Sequence, residues 1–287
     1  MPVIKAVIAD VDGVMVGKTP DYNFPLPHAK ELDAMECVSA HGVPIILCTA
    51  KFGAAIKDIT LKANLHNLHI TDGGAAIVQF SDNTILKKYV IPPETVQMCI
   101  QECLDHGLYI ELFTIDDYYI DESHINAFTT RRSRLLQKEP ICVTSLLKQS
   151  KTLDVIKVIV FVRNDEQKAR LAQLAGTWAD AIHFIWSFHP YLAPSLPAVI
   201  TAKNVSKAAA SQYVATSLGI DFSQILGIGD SESDWNFMQL CGFVGTVGDQ
   251  SSALIRHARN KADNHYYIAP SVDEHGLIDI FKNFKLL

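Results

Sequence analysis

The segment Asp10-Val11-Asp12-Gly13 directly follows the run Val3-Ile4-Lys5-Ala6-Val7-Ile8-Ala9, so two carboxylates stand at the end of a short strand-like stretch. Alternate residues of an extended chain point the same way, and a turn beginning at Gly13 can splay both carboxylates toward one ligand. One can then attack phosphorus while the other handles the proton of the leaving group, a division of labour that requires two different environments. Thr49, within Leu47-Cys48-Thr49-Ala50-Lys51, offers a hydroxyl at a strand-to-helix turn. With the backbone N–H groups there, Ala50 included, it suits a phosphate oxygen. Lys207, in Asn204-Val205-Ser206-Lys207, opens a helix, where its charge opposes the helix dipole unless it neutralises an anion. Lys203 competes for that role. Finally, Gly229-Asp230-Ser231-Glu232-Ser233-Asp234-Trp235 follows the apolar Ile225-Leu226-Gly227-Ile228 and opens a helix. Oxygen ligands such as Asp230 and Asp234 suit Mg²⁺, which is held by few carboxylates together with phosphate and water.

Each piece also has an ordinary structural reading. The acidic stretch can be a plain turn, Thr49 an N-cap, Lys207 a solvated lysine, and Ser231 with Asp234 a capping box. Their common position is what separates the chemical reading from these. The order of elements is strand at Val3–Ala9, helix over Pro27–His41, strand at Pro44–Cys48 and helix from about Phe52 to Leu65. That order predicts a parallel sheet with crossover helices, and such sheets bind ligands beyond the carboxyl ends of their strands. All four pieces fall at such ends.

From about Thr84 strand-like and helical runs alternate differently, which predicts an inserted α+β domain over residues 83–196, with a proline-rich return at Pro190–Pro197. The α/β core is expected over residues 1–82 and 197–287. Within the insertion Arg131, Arg132, Phe188 and His189 are candidates for reading a substrate, although arginines so clustered also suit a solvated helix face.

The 287 residues carry a net charge of −6, and their Lys and Arg are scattered, which argues against a nucleic-acid or anionic-membrane surface. Hydrophobic residues make up 48%, enough for a substantial core. The six cysteines form no CxxC pair and sit mostly in apolar stretches, so buried, reduced thiols are expected. With no signal segment or membrane-spanning stretch in view, a soluble cytoplasmic protein is expected.

The acidic DxDG, a Thr after an apolar strand, a helix Lys and then GDxxxD follow the four-motif order of the haloacid dehalogenase phosphatases, which this chain resembles. The insertion between Thr49 and Lys207 resembles the large α+β cap of the Cof-type sugar-phosphatase branch. Asp72-Gly73-Gly74-Ala75-Ala76-Ile77, Val205-Ser206-Lys207 and His275-Gly276-Leu277 resemble further segments of that branch. Departures are Val14 for Thr, Lys51 for Arg, Gly73 for Asn, and Ser231 and Ser233 for Gly and Asn. The resemblance implies a Rossmann-like core and a Mg²⁺-dependent phosphomonoester hydrolase. Its nucleophile is Asp10, its general acid/base Asp12, and its charge-stabilising lysine Lys207. Mg²⁺ is then bound by the Asp10 carboxylate, the Asp12 carbonyl and Asp230, with Asp234 a water-mediated ligand or a support for Lys207. The expected substrate is a small phosphorylated metabolite, a sugar phosphate by preference. A phosphosugar mutase using the same aspartate, and a non-catalytic phosphate-binding or regulatory protein, are the alternatives. The oligomeric state is not readable.

Overall fold

The computed structural model describes residues 3–187, 192–248 and 252–287. In chain order the elements begin with β1 (Ala6–Ala9), α1 (Ala29–Ala40), β2 (Ile45–Leu47), α2 (Gly53–Lys62), β3 (His69–Thr71), β4 (Ala76–Gln79) and β5 (Thr84–Lys88). Next come α3 (Pro93–Asp105), β6 (Tyr109–Phe113), β7 (Tyr118–Asp121), α4 (Ala127–Leu136), β8 (Ile141–Val143) and α5 (Leu146–Gln149). These are followed by β9 (Lys157–Val162), α6 (Asp165–Thr177), β10 (Ile182–Trp186) and β11 (Leu196–Ala202). The chain closes with α7 (Lys207–Leu218), β12 (Ile225–Gly229), α8 (Trp235–Met238), β13 (Phe243–Val247), α9 (Ser252–Ala258), β14 (Tyr266–Ala269) and α10 (Gly276–Asn283). No helix among the described residues is long and apolar enough to cross a membrane.

Two compact units result. The first comprises Met1–Lys51, Ile56–Lys87 and Ser206–Leu287. Its main sheet runs β14-β13-β12-β1-β2, every neighbouring pair parallel. The pleat sends alternate β1 side chains to opposite faces. Val7 and Ala9 join one buried cluster with Met35 and Val38 of α1 and Leu277, Ile280 and Phe281 of α10. Ala6 and Ile8 join another with Ala210 and Val214 of α7 and Phe237 and Met238 of α8. Helices therefore cover both faces, which is why the strands read as continuous apolar runs rather than alternating ones. Ala9 stands opposite both Ile228 and Leu47, so β1, β2 and β12 end at one level. Asp10, Thr49 and Asp230 leave the sheet from that edge.

The second unit comprises Phe52–Ala55 and Lys88–Val205. Its sheet runs β10-β11-β9-β6-β7-β8, antiparallel except for the β7–β8 pair. One face carries Ile110, Leu112, Val158 and Val160, packed with Val96, Cys99, Ile100 and Cys103 of α3. On the other lie Tyr109, Phe113, Phe161 and three buried charges, Glu111, Lys157 and Arg132 of α4.

The return from the insertion, expected at residue 197, instead falls inside β11. That strand is hydrogen-bonded to β10 and β9 over its length, so the division lies between Val205 and Ser206. The entry boundary lies at Lys87, five residues beyond the expected one at 82. Residues 190 and 191 of the proposed return hinge lie outside the described residues. All six cysteines are free; four are buried as expected, but Cys37 and Cys142 are exposed.

Candidate active site

Asp10 sits one residue beyond β1, where its N–H donates to Ile228 O at 2.9 Å and so continues the pairing with β12. Its carboxylate is buried, and Oδ1 lies 3.0 Å from Lys207 Nζ. The same ammonium lies 2.7 Å from Asp234 Oδ1. Lys207 is the first residue of α7, capped by Ser206, whose hydroxyl accepts from Ala209 N–H at 3.1 Å. A largely buried lysine at a helix start is thus compensated chiefly by two carboxylates.

The oxygens of Asp234 are used in full. Oδ1 takes Lys207, while Oδ2 accepts from the Ser231 hydroxyl at 2.8 Å, Ser231 N–H at 3.1 Å and Asp230 N–H at 3.3 Å. Asp234 thereby shapes the turn that presents Asp230. Gly13, at φ +76°, lets the first acidic loop approach this turn, because a Cβ there would stand 2.0 Å from Asp230 Oδ2. Gly74 performs a similar service for α7. At φ +103° it places its backbone so close that a Cβ would meet Ser206 O at 2.4 Å. The same short segment holds the Thr49 turn, through Gly73 N–H to Thr49 O and Asp72 N–H to Lys51 O, both 2.9 Å. Residues 72–74 therefore brace the threonine turn and the lysine helix together.

Asp12 differs from Asp10 in its surroundings. Its side chain is about half exposed and paired with Lys51 Nζ at 3.0 Å. Thr49 is buried, and its hydroxyl accepts from Lys51 N–H at 3.1 Å, closing the turn that aims Lys51 at Asp12.

Burial and the neighbouring Asp234 push the Asp10 carboxyl up to about 8, against the opposing pull of Lys207. Asp230 is raised to about 7, by burial and again by Asp234. Asp234 is itself lowered: burial opposes its ionisation, but Lys207 and the hydrogen bonds from Lys207 and Ser231 outweigh it. Lys207 is raised, burial being outweighed by Asp10 and Asp234.

The carboxylates of Asp10, Asp230 and Asp234 bring ligand atoms within 4.8 Å of one another. One ammonium does not balance them, and Asp10 Oδ1 is buried without a hydrogen bond, its contact with Lys207 being an ion pair only. An all-oxygen, electron-rich set of this kind fits a hard divalent cation such as Mg²⁺.

Of the residues singled out from sequence, Asp10, Lys207, Asp230 and Asp234 are brought together, with Asp12 and Thr49 on the loops that leave β1 and β2. Lys203 is not part of the group, since its amine donates to Ala179 O at 2.6 Å in the second unit. Arg132 is corrected outright. It is buried and makes a bidentate pair with Glu111 at 2.9 and 2.6 Å, so its guanidinium has no reach for a substrate. Arg131 remains half-buried, with Nη1 donating to Ala193 O at 3.3 Å. Phe188 and His189 lie outside the described residues. The sequence did not give Lys51 its partner or Gly74 its supporting part, although Lys51 stands where relatives of the resembled family carry Arg. Ser231 had a signal in the capping-box pairing with Asp234, and its N–H does donate to Asp234 Oδ2.

The model of the haloacid dehalogenase-like hydrolase family matches residues 7–281. A Streptococcus pyogenes serotype M6 protein, whose name assigns it provisionally to the phosphatases, is 24% identical over 237 residues, 80% of this chain and 82% of its own. A haloacid dehalogenase-like hydrolase from Bacteroides thetaiotaomicron superposes with TM-score 0.84 at 14% identity, covering 97% of this chain and 98% of that one. A subclass IIB sugar phosphatase of the same superfamily gives TM-score 0.75 at 18% identity, covering 99% and 100%.

Proposed function

We infer that this chain, which belongs to the haloacid dehalogenase-like hydrolases, is a phosphomonoester hydrolase that works through a phosphoaspartate on Asp10. The observation that carries the reading is the contrast between two carboxylates two residues apart. Asp10 is buried against Lys207, whereas Asp12 is half exposed against Lys51. A phosphate-binding protein needs no such pair; a two-step transfer does.

In the first step an Asp10 oxygen forms a bond to phosphorus as the bond to the ester oxygen breaks. Asp12 donates its proton to the departing alkoxide. In the second, Asp12 takes a proton from water as that water attacks the phosphoaspartate, which releases inorganic phosphate and restores Asp10. Lys207 holds its charge beside Asp10 throughout, offsetting the repulsion between a carboxylate and a phosphate dianion. The Thr49 turn, with the N–H groups near Ala50, contributes donors to the phosphate oxygens. Mg²⁺, held by the Asp10 carboxylate, the Asp12 carbonyl and Asp230, supplies further charge compensation when bound. Asp234, with both oxygens engaged, is the support for Lys207 rather than a ligand.

A sugar phosphate is the proposed substrate class, favoured by the likeness to a sugar phosphatase over nearly the whole length. The second unit is proposed to choose among substrates, because every group used above belongs to the first. The test is phosphate release from a broad panel of phosphorylated metabolites with Mg²⁺, with isomer analysis of the remaining sugar. Asp10→Asn should abolish release. Isomerised sugar without net phosphate would make the protein a mutase, and turnover undiminished in excess EDTA would sink the metal-assisted mechanism.

A further inference from the structure

Among the described residues a second cluster has metal-ligand character and shares no member with the acidic one. His28 caps the N-terminus of α1, Glu31 lies in the first turn of that helix, and His275 precedes α10. One ligand atom from each lies within 4.8 Å of the others. All three belong to the first unit.

The contacts around this trio centre on one buried carboxylate. Lys30 N–H donates to His28 Nδ1 at 3.2 Å, so that nitrogen carries a lone pair rather than a proton. It stands 3.8 Å from Glu31 Oε2. The Tyr22 hydroxyl donates to Asp273 O at 3.3 Å and has no second proton. It also lies 3.4 Å from His275 Nε2. The other ring nitrogen of His275, Nδ1, faces Glu31 Oε1 at 2.6 Å. Two imidazole nitrogens thus stand beside one buried carboxylate, His28 Nδ1 at present serving as the helix cap. Glu31 is 2% exposed, and its Oε2 is buried with no hydrogen-bond partner. A buried carboxylate oxygen left without a donor is costly unless a cation meets it. One proton satisfies the His275–Glu31 contact but leaves Oε2 unmatched.

We propose that His28, Glu31 and His275 form a binding site for a divalent transition-metal ion of the Zn²⁺ class, separate from the acidic centre. Two imidazoles and a carboxylate are a familiar zinc donor set, whereas Mg²⁺ prefers oxygen alone. Ligand atoms of a four-coordinate zinc are about 3.3 Å apart for bonds near 2.0 Å, so the trio closes on the ion with side-chain adjustment only. His28 gives up a cap bond that is already long. With Nδ1 on the ion, the Nε2 proton of His275 would face the Tyr22 hydroxyl 3.4 Å away, an outer contact of the kind that holds a metal-bound imidazole in one tautomer. The ion joins the start of α1 to the start of α10, so its expected effect is on stability rather than on bond breaking.

The test is calorimetric titration of the whole protein with Zn²⁺ in excess Mg²⁺, which keeps the acidic centre filled, alongside thermal melts. One Zn²⁺ should bind per chain and raise the melting temperature. His275→Gly is the informative variant, because φ is +65° there and glycine takes that conformation without strain, so the fold is retained. His275→Gly and Glu31→Gln should each weaken Zn²⁺ by more than about 100-fold, since even outer contacts are worth about 10–100-fold. Tyr22→Phe should fall within that smaller range. Asp230→Asn should leave Zn²⁺ binding intact. Substitution of Co²⁺ should give a visible absorption band that His28→Ala removes. Failure to bind Zn²⁺, binding that survives His275→Gly, or binding lost in Asp230→Asn but kept in His275→Gly would overturn the assignment.

Discussion

Asp234→Asn separates a support for Lys207 from a metal ligand. The side chain is fully buried and makes four contacts: Lys207 at 2.7 Å, the Ser231 hydroxyl at 2.8 Å, and two backbone N–H groups at 3.1 and 3.3 Å. An asparagine keeps the shape but turns one oxygen into a donor. If the amide nitrogen faces the turn, two N–H bonds to a charged acceptor are lost, at about 1.5–3 kcal/mol each. If it faces Lys207, a buried ammonium loses a partner, at about 3–5 kcal/mol. Either orientation predicts a loss near 3–5 kcal/mol, read as a lower urea midpoint. Lys207 also loses one of its two anchors, so kcat with Mg²⁺ in excess should fall by about 10²–10³-fold, as for other preorganised charges. The Mg²⁺ concentration for half-maximal rate should move little. Should kcat return to the original value at high Mg²⁺, Asp234 is a ligand and the support role is wrong. A variant stable to within 1 kcal/mol, by about the scatter of surface substitutions, would refute the clamp altogether.

The remaining expectations concern the groups around this clamp and the buried pair of the second unit. Gly74→Ala puts a Cβ 2.4 Å from Ser206 O at a φ of +103°, so it should destabilise by more than about 2 kcal/mol and lower kcat through the displaced start of α7; equilibrium unfolding and kinetics check both. Without metal, stability should fall as pH rises from about 6.5 to 8. Asp10 and Asp230 have folded values near 8 and 7 against 3.8, so the stability they lend is complete below 3.8 and disappears as pH passes the raised values. Buried His69, lowered from 6.5 to about 4, acts in the opposite sense but only below 6.5. Thermal melts in EDTA should therefore slope downward above that point, and Mg²⁺ should flatten the slope; a curve that is flat in EDTA would contradict the carboxylate assignment. Arg132→Ala should cost about 3–5 kcal/mol by stranding Glu111, while the apolar pair Glu111→Leu with Arg132→Met should cost less than either single change in a double-mutant cycle.

Much of the core was legible because its strands lie between two helical layers and must be apolar throughout. Ala6–Ala9, Ile45–Leu47 and Ile225–Gly229 are such runs, followed within two residues by Asp10, Thr49 and Asp230. The same property misled the boundary at residue 197, because residues 197–202 lie in a strand of the second unit. A buried strand of the second sheet carries the same signature as one of the first, and only its partners at residues 157–162 and 182–186 say which sheet it joins. Strands of three residues, such as β3 and β8, leave too short a pattern to separate from a loop.

Reacting groups and supporting groups differ in how strongly chemistry constrains them. A nucleophile, a metal ligand or a charge-stabilising amine must be of one type at the end of one element, so type and spacing identify it. A support has only to reach. Ser231 serves Asp234 through a hydroxyl and a backbone N–H, Gly74 serves Lys207 by lacking a Cβ, and Lys51 steadies Asp12 from the far side of the Thr49 turn. Gly74 must be glycine, but only its neighbour Ser206 O, far off in sequence, says so, and of the rest the Ser231–Asp234 pairing alone shows in the letters. Arg132 shows the converse error, a residue of chemically useful type whose reach is consumed by Glu111. The His28–Glu31–His275 trio combines both difficulties. Its members have the types of ligands, but Glu31 and His275 lie 244 residues apart. The α1–α10 packing on one face of the sheet is what turns three unremarkable letters into one donor set.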